Sequence, residues 1–176
     1  MSLYEQIERD VVTWIDQFIA TPNEFYHGKF APCPYARGAI TAGTVDVAVW
    51  RAGDPRLFIK EQALAMRGSG NIQTRVIVFP PRVQSSLGIS EYVDTLNMEL
   101  IADNIFLNTG VTKSIPSRYP GSGDKPYFMV VVNTLSEVLR GAKSLQKTKF
   151  YANWPAPHYR LVVERRASMA ERYGKS

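Results

Sequence analysis

The single cysteine of the chain lies in Ala31-Pro32-Cys33-Pro34-Tyr35-Ala36-Arg37-Gly38, between two prolines. Each proline fixes its own φ and removes an N–H donor, so the backbone on both sides is restricted and the thiol is held in one direction. A directed thiol suits a nucleophile or a redox centre, and its reactive form is the thiolate. Lys29, Arg37 and His27 are close in sequence, and positive neighbours favour that form. His27 is placed to act as the base, which makes Cys33 and His27 the candidate catalytic pair. Lys29 and Arg37 would then bind an anionic group, and Tyr35 would line the pocket. The plain alternative is that Cys33 is a small buried hydrophobe in a loop packed on the core.

Other chemistry is sparse. The two histidines, His27 and His158, form no metal-ligand spacing with Cys33 or with each other, so no zinc site is expected. Gly68-Ser69-Gly70 and Gly121-Ser122-Gly123 could cradle phosphate through backbone N–H groups, but neither matches a P-loop or a dinucleotide fingerprint, and both read as turns. At Val132-Asn133-Thr134 a strand runs into a helix whose first amides could meet an anion, although Thr134 and Glu137 have the capping-box spacing that satisfies them. Arg140, Lys143 and Lys147 fall three and four residues apart, opposite the apolar face of their helix, with Lys149, Arg160, Arg165, Arg166 and Arg172 following. With Tyr151, Trp154 and Tyr159 interleaved, they could form an anion-binding surface that tracks phosphates and stacks bases. The alternative is a solvated helix face with Glu137 and Glu164 paired in.

These residues need a scaffold, and the sequence supplies one. At 176 residues, with 45% hydrophobic and 21% charged, the chain can bury a continuous core without a staple, and residues 1–176 read as one globular domain. A lone cysteine excludes an internal disulfide, and the N-terminus carries neither a basic cluster nor an apolar run, so a cytoplasmic protein is expected. No apolar stretch is long enough to span a membrane. The net charge of +5 is a mild bias towards anionic partners.

Ile7, Val11, Trp14, Ile15 and Phe18 have helical spacing, which Thr21-Pro22 stops. Residues 23–43 read as an ordered, proline-braced aromatic loop, and ordered loops of that length are usually functional. Residues 44–50 alternate as a half-buried strand, and Asp54-Pro55 caps a helix to about Met66. Residues 74–79 form an apolar run expected of a central strand. Ser90 caps a long helix carrying Val93, Leu96, Leu100 and Leu107, ending at Asn108-Thr109-Gly110, with a short edge strand at 111–115. Residues 127–132 form a second central strand, followed at once by a helix with Leu135, Val138, Leu139, Ala142 and Leu145 inside. The last segment reads as helix through Tyr173, with strand as the alternative over 158–164. The fold class is α+β, a small mixed or antiparallel sheet with helices on one face, a ferredoxin-like arrangement being one form of it.

Trp14-Ile15 followed by Cys33-Pro34-Tyr35-Ala36 resembles a family of uncharacterised bacterial proteins that share an N-terminal tryptophan helix and a Cys-Pro-Phe-Ala motif. Thr74-Arg75-Val76-Ile77-Val78-Phe79-Pro80, the helix begun at Ser90, Pro126-Tyr127-Phe128-Met129 and the closing segment from Pro155 to Tyr173 are similar to that family's landmarks, in the same order. Phe79 stands where the family has histidine, and Tyr35 where it has phenylalanine. The resemblance implies kinship of fold and of the cysteine segment; it supplies no reaction and no cofactor.

Two functions remain open. The preferred one is a small-molecule enzyme or binding protein with a pocket at the loop around Cys33 and an anionic small molecule as partner. The other is a non-catalytic interaction protein using its basic C-terminal surface on nucleic acid or a protein assembly. Cofactor and oligomeric state are not legible.

Overall fold

The computed structural model describes residues 1–22, 24, 28–80, 88–111 and 127–174. The first stripe forms α1 (Leu3–Trp14), opened by a reciprocal box in which the Ser2 hydroxyl accepts the Glu5 N–H and the Glu5 carboxylate accepts the Ser2 N–H. The helix then widens into a π-helical stretch, Ile15–Ile19. Ile7, Val11, Trp14, Ile15 and Phe18 are all buried, as their spacing requires. The region expected to be loop from 23 to 43 contains a short helix, α2 (Ala36–Thr41), which starts once the prolines are past.

Next come β1 (Val45–Val49), α3 (Pro55–Ala65) and β2 (Thr74–Phe79). The Asp54 carboxylate accepts the Arg56 and Leu57 N–H groups, so the expected cap is in place. The following helix, α4 (Ile89–Leu100), is shorter than its periodicity suggests and has Gly88, not Ser90, at its cap position. A 3-10 turn, Ile101–Asp103, carries it to Asn104, whose φ of 63° reverses the chain, and residues expected to continue the helix become β3 (Ile105–Val111). Leu107 is therefore a strand residue. Asparagine is among the few residues that tolerate this left-handed conformation. The edge strand expected at 111–115 is thus found earlier in the chain, and residues 112–115 lie outside the described residues.

β4 (Phe128–Thr134) runs directly into α5 (Leu135–Gln146). The expected capping box does not form there, because Thr134 makes no side-chain cap. Asn104 replaces it: its carbonyl accepts the Leu135 N–H at 2.9 Å and its Oδ1 accepts the Ser136 N–H at 2.8 Å. The chain ends as helix: α6 (Ala156–Tyr159), a second π-helical stretch (Arg160–Glu164) and α7 (Arg165–Tyr173). The strand alternative over 158–164 is not what forms.

The sheet has the order β1-β2-β4-β3, with β1 and β2 parallel and the other pairs antiparallel. This is the mixed sheet of an α+β fold, but not a ferredoxin-like one. There a strand separates the parallel pair, whereas here β1 and β2 are neighbours joined through α3. Helices also cover both faces rather than one. Ile77, Phe79, Leu107, Val130 and Val132 pack against α3 and α4, while Val76, Val78 and Met129 pack against α1. Apolar residues on both sides of β2 and β4 leave no face that water could cover cheaply. At the β3 edge, buried Asn97 of α4 donates through Nδ2 to the Leu107 carbonyl at 2.9 Å and accepts the Leu107 N–H at 2.7 Å.

Candidate functional site

The cysteine segment is positioned by its own backbone. The Cys33 N–H donates to the Ile19 carbonyl, at the end of the first π stretch, at 3.0 Å, and the Cys33 carbonyl accepts the Ala36 N–H at 3.1 Å as α2 begins. Cys33 is exposed. Protein nevertheless crowds around the thiol, and desolvation pushes its pKa up from the ordinary value, with the Tyr35 and Ala36 N–H groups pulling it partly back. Water touching the residue and a lowered local dielectric coexist at a surface backed by packed rings. At neutral pH the thiol is protonated.

Of the cations expected around it, Arg37 is engaged elsewhere. Arg37 pairs with the Asp16 carboxylate and donates to the Asp16 carbonyl at 3.0 Å and the Thr21 hydroxyl at 3.2 Å, fastening α2 to the first π stretch. Lys29 is exposed in the turn before the motif. His27 lies outside the described residues. The Tyr35 hydroxyl donates to the Gly141 carbonyl at 3.1 Å, and its ring lies so close to α5 that a Cβ at Gly141 would come within 2.9 Å of it. Tyr35 is thus a strut between the cysteine turn and α5.

Beside that turn stands a cluster of rings. Phe30 meets Phe150 edge-on at 5.4 Å, and Phe150 meets Tyr151 at 4.9 Å. Tyr151 in turn meets Trp154 at 4.9 Å and Tyr159 at 5.2 Å, both edge-on. These geometries suit the ring quadrupoles and tie the segment before Cys33 to the turn after α5 and to α6. Gln146 Nε2 donates to the Tyr159 hydroxyl at 2.9 Å.

Sequence reasoning places Arg166 only among the basic surface residues, yet it is 6% exposed. It stands on the inward stripe of the C-terminal helix, three residues after buried Val163 and three before Met169, which packs against the core. Among the described residues no carboxylate pairs with it and it makes no hydrogen bond; its Nε is buried without an acceptor. Burial lowers its pKa while Tyr151 raises it, and a guanidinium so shifted still stays charged at neutral pH. Conversely, burial pushes the Tyr151 phenol up, Arg166 pulls it down, and Tyr159, Tyr35 and Cys33 push it up further. Tyr151 thus feels charge from both the cysteine turn and Arg166. The visible signal was helical phase: a basic residue on an apolar stripe.

The other expected surface is exposed, Arg140 and Lys143 on α5 and Lys147 at its C-cap, with Arg140 paired to Glu137 one turn back. Two π-helical stretches adjoin the Cys33 turn and Arg166. The first receives the Cys33 N–H, and the second lies between Tyr159 and Arg166. A π turn shifts the phase of the residues beyond it, and such turns are frequent at functional sites. Among the described residues, no helix is long and apolar enough to cross a membrane. No protein-family model matches the chain, and neither a curated protein nor a solved structure matches it.

Proposed function

We propose that the chain binds a small anionic molecule at Tyr151, between the Cys33 turn and Arg166, as a small-molecule enzyme or binding protein. One observation carries this reading: an arginine that is 6% exposed as a residue, with a sealed Nε and no counter-charge among the described residues. An uncompensated buried charge costs several kcal/mol, so a chain that keeps one gains something other than stability from it. An anion supplies the missing charge and the missing acceptor together. Cys33, protonated at neutral pH, meets this ligand as a neutral thiol unless binding itself shifts it.

The interaction reading keeps Lys143, exposed on α5, and Lys147, exposed at its C-cap. A salt-dependent shift on single-stranded DNA that is lost when both are changed to alanine would favour it.

The decisive variant is Arg166→Met, followed by thermal unfolding with and without small carboxylates and phosphate. The expected result is a higher melting temperature than wild type without ligand, by about 2–10 °C for a gain of about 1–3 kcal/mol, and no response to anions that stabilise wild type. A wild type indifferent to every anion, together with an Arg166→Met that melts lower, would overturn the proposal.

A further inference from the structure

We infer that a second ligand site lies between α4 and α7 and takes a carboxylate carrying a short apolar chain. The two helices border a cavity of about 250 Å³ whose lining includes neither Arg166 nor any residue of the cysteine segment. They are pinned side by side at two points. Arg165 pairs with Asp94 at 2.5 Å, and Met169 and Ala170 pack against Ile101, just past the end of α4. Met98, one turn beyond Asp94 on α4, and Met169 line the space along this stretch. On α7, Arg165, Ser168 and Arg172 recur at three and four residues, so one face of the helix looks onto the cavity.

Charge sets the head group. The lining carries two guanidiniums and one carboxylate, and Asp94 is spent on Arg165. Arg172 is left with no carboxylate partner among the described residues; its guanidinium carbon stands 5.5 Å from the ring centroid of Tyr173, which also lines the cavity. The ring braces the fork without neutralising it. Ser168, one turn earlier, adds a hydroxyl donor. One open cation and one hydroxyl match one carboxylate, whereas a dianion would leave a charge facing thioethers. The two methionines set the rest of the molecule. Met98 is 47% exposed, and its flexible apolar side chain adapts to irregular shapes. An alkyl chain gains burial against it and Met169, while a sugar or a second charge would give up water for nothing. At about 30 Å³ per water-sized group the space holds about eight heavy atoms, the size of a medium-chain carboxylate.

The test is calorimetric titration of the full chain with octanoate, acetate and octanol, repeated on Arg172→Gln, Met98→Ser and Arg166→Met. Arg172 and Met98 are exposed, so their variants keep the core and should melt within about 3 °C of wild type without ligand. Octanoate should bind wild type about tenfold or more tighter than either acetate or octanol. Arg172→Gln and Met98→Ser should each weaken octanoate about tenfold, and Arg166→Met should retain it. Acetate matching octanoate overturns the apolar chain, octanol matching octanoate overturns the carboxylate head, and either result sinks the inference. Tight octanoate binding that survives Arg172→Gln or Met98→Ser overturns this site. If that binding is lost in Arg166→Met instead, the ligand belongs to the site proposed above, which then stands alone.

Discussion

At Cys33, burial and backbone hydrogen bonding pull in opposite directions, and burial wins. Arg37 is held by Asp16 and Thr21, so only the Tyr35 and Ala36 N–H groups favour the thiolate. Alkylation by iodoacetamide followed against pH should therefore climb through a midpoint above the ordinary thiol value; a rate already level at neutral pH would show that the cations do reach the sulfur. The same shift has a thermodynamic face. A group whose folded pKa is raised contributes stability that is complete below the unfolded value and disappears as pH rises through the folded one. Cys33 therefore weakens the fold only in alkaline solution, and Tyr127 does likewise, its phenol pushed up by burial and by its bond to Asp10. Residue types alone revealed the rigid cysteine turn but not which basic side chain matters. Arg160, Arg165, Arg166 and Arg172 look alike in composition, and only the helical phase of Arg166 with Val163 and Met169 separates it.

Among the elements, β2, β4, α1 and α3 were legible because each is specified locally, by an unbroken β-branched run, by stripe spacing or by Asp54-Pro55. The end of α4 was not. Leu100 and Leu107 sit one helical stripe apart, yet Ile105, Phe106 and Leu107 are also an apolar run short enough for a strand, and spacing alone cannot choose between them. Asn104 chooses, by reversing the chain and by capping a helix some thirty residues later in sequence. A cap supplied from so far away leaves no local signature at Thr134. Asn104→Ala should cost about 1–3 kcal/mol in urea unfolding, from the lost acceptor at Ser136 and the strained φ of an alanine there. A change below about 0.5 kcal/mol would mean that water caps α5 equally well.

For the molecule as a whole, the mixed sheet places its parallel pair at one side and its antiparallel hairpin strands at the other, which leaves β3 outermost. Outermost strands carry backbone groups with no neighbour, and such rows recruit other chains. Asn97 answers both groups of Leu107 with one side-chain amide, from within the core and not from solvent. Asn97→Leu fills similar space but strips two hydrogen bonds from a buried backbone, so a loss of about 2–4 kcal/mol is expected by denaturant titration. The variant should also scatter more light as protein concentration rises, while wild type stays flat; a monodisperse variant would show that α4 alone screens the strand. The amide of Asn97 thus works as a counterfeit strand: it offers β3 the pair of contacts a newcomer would need at that rung.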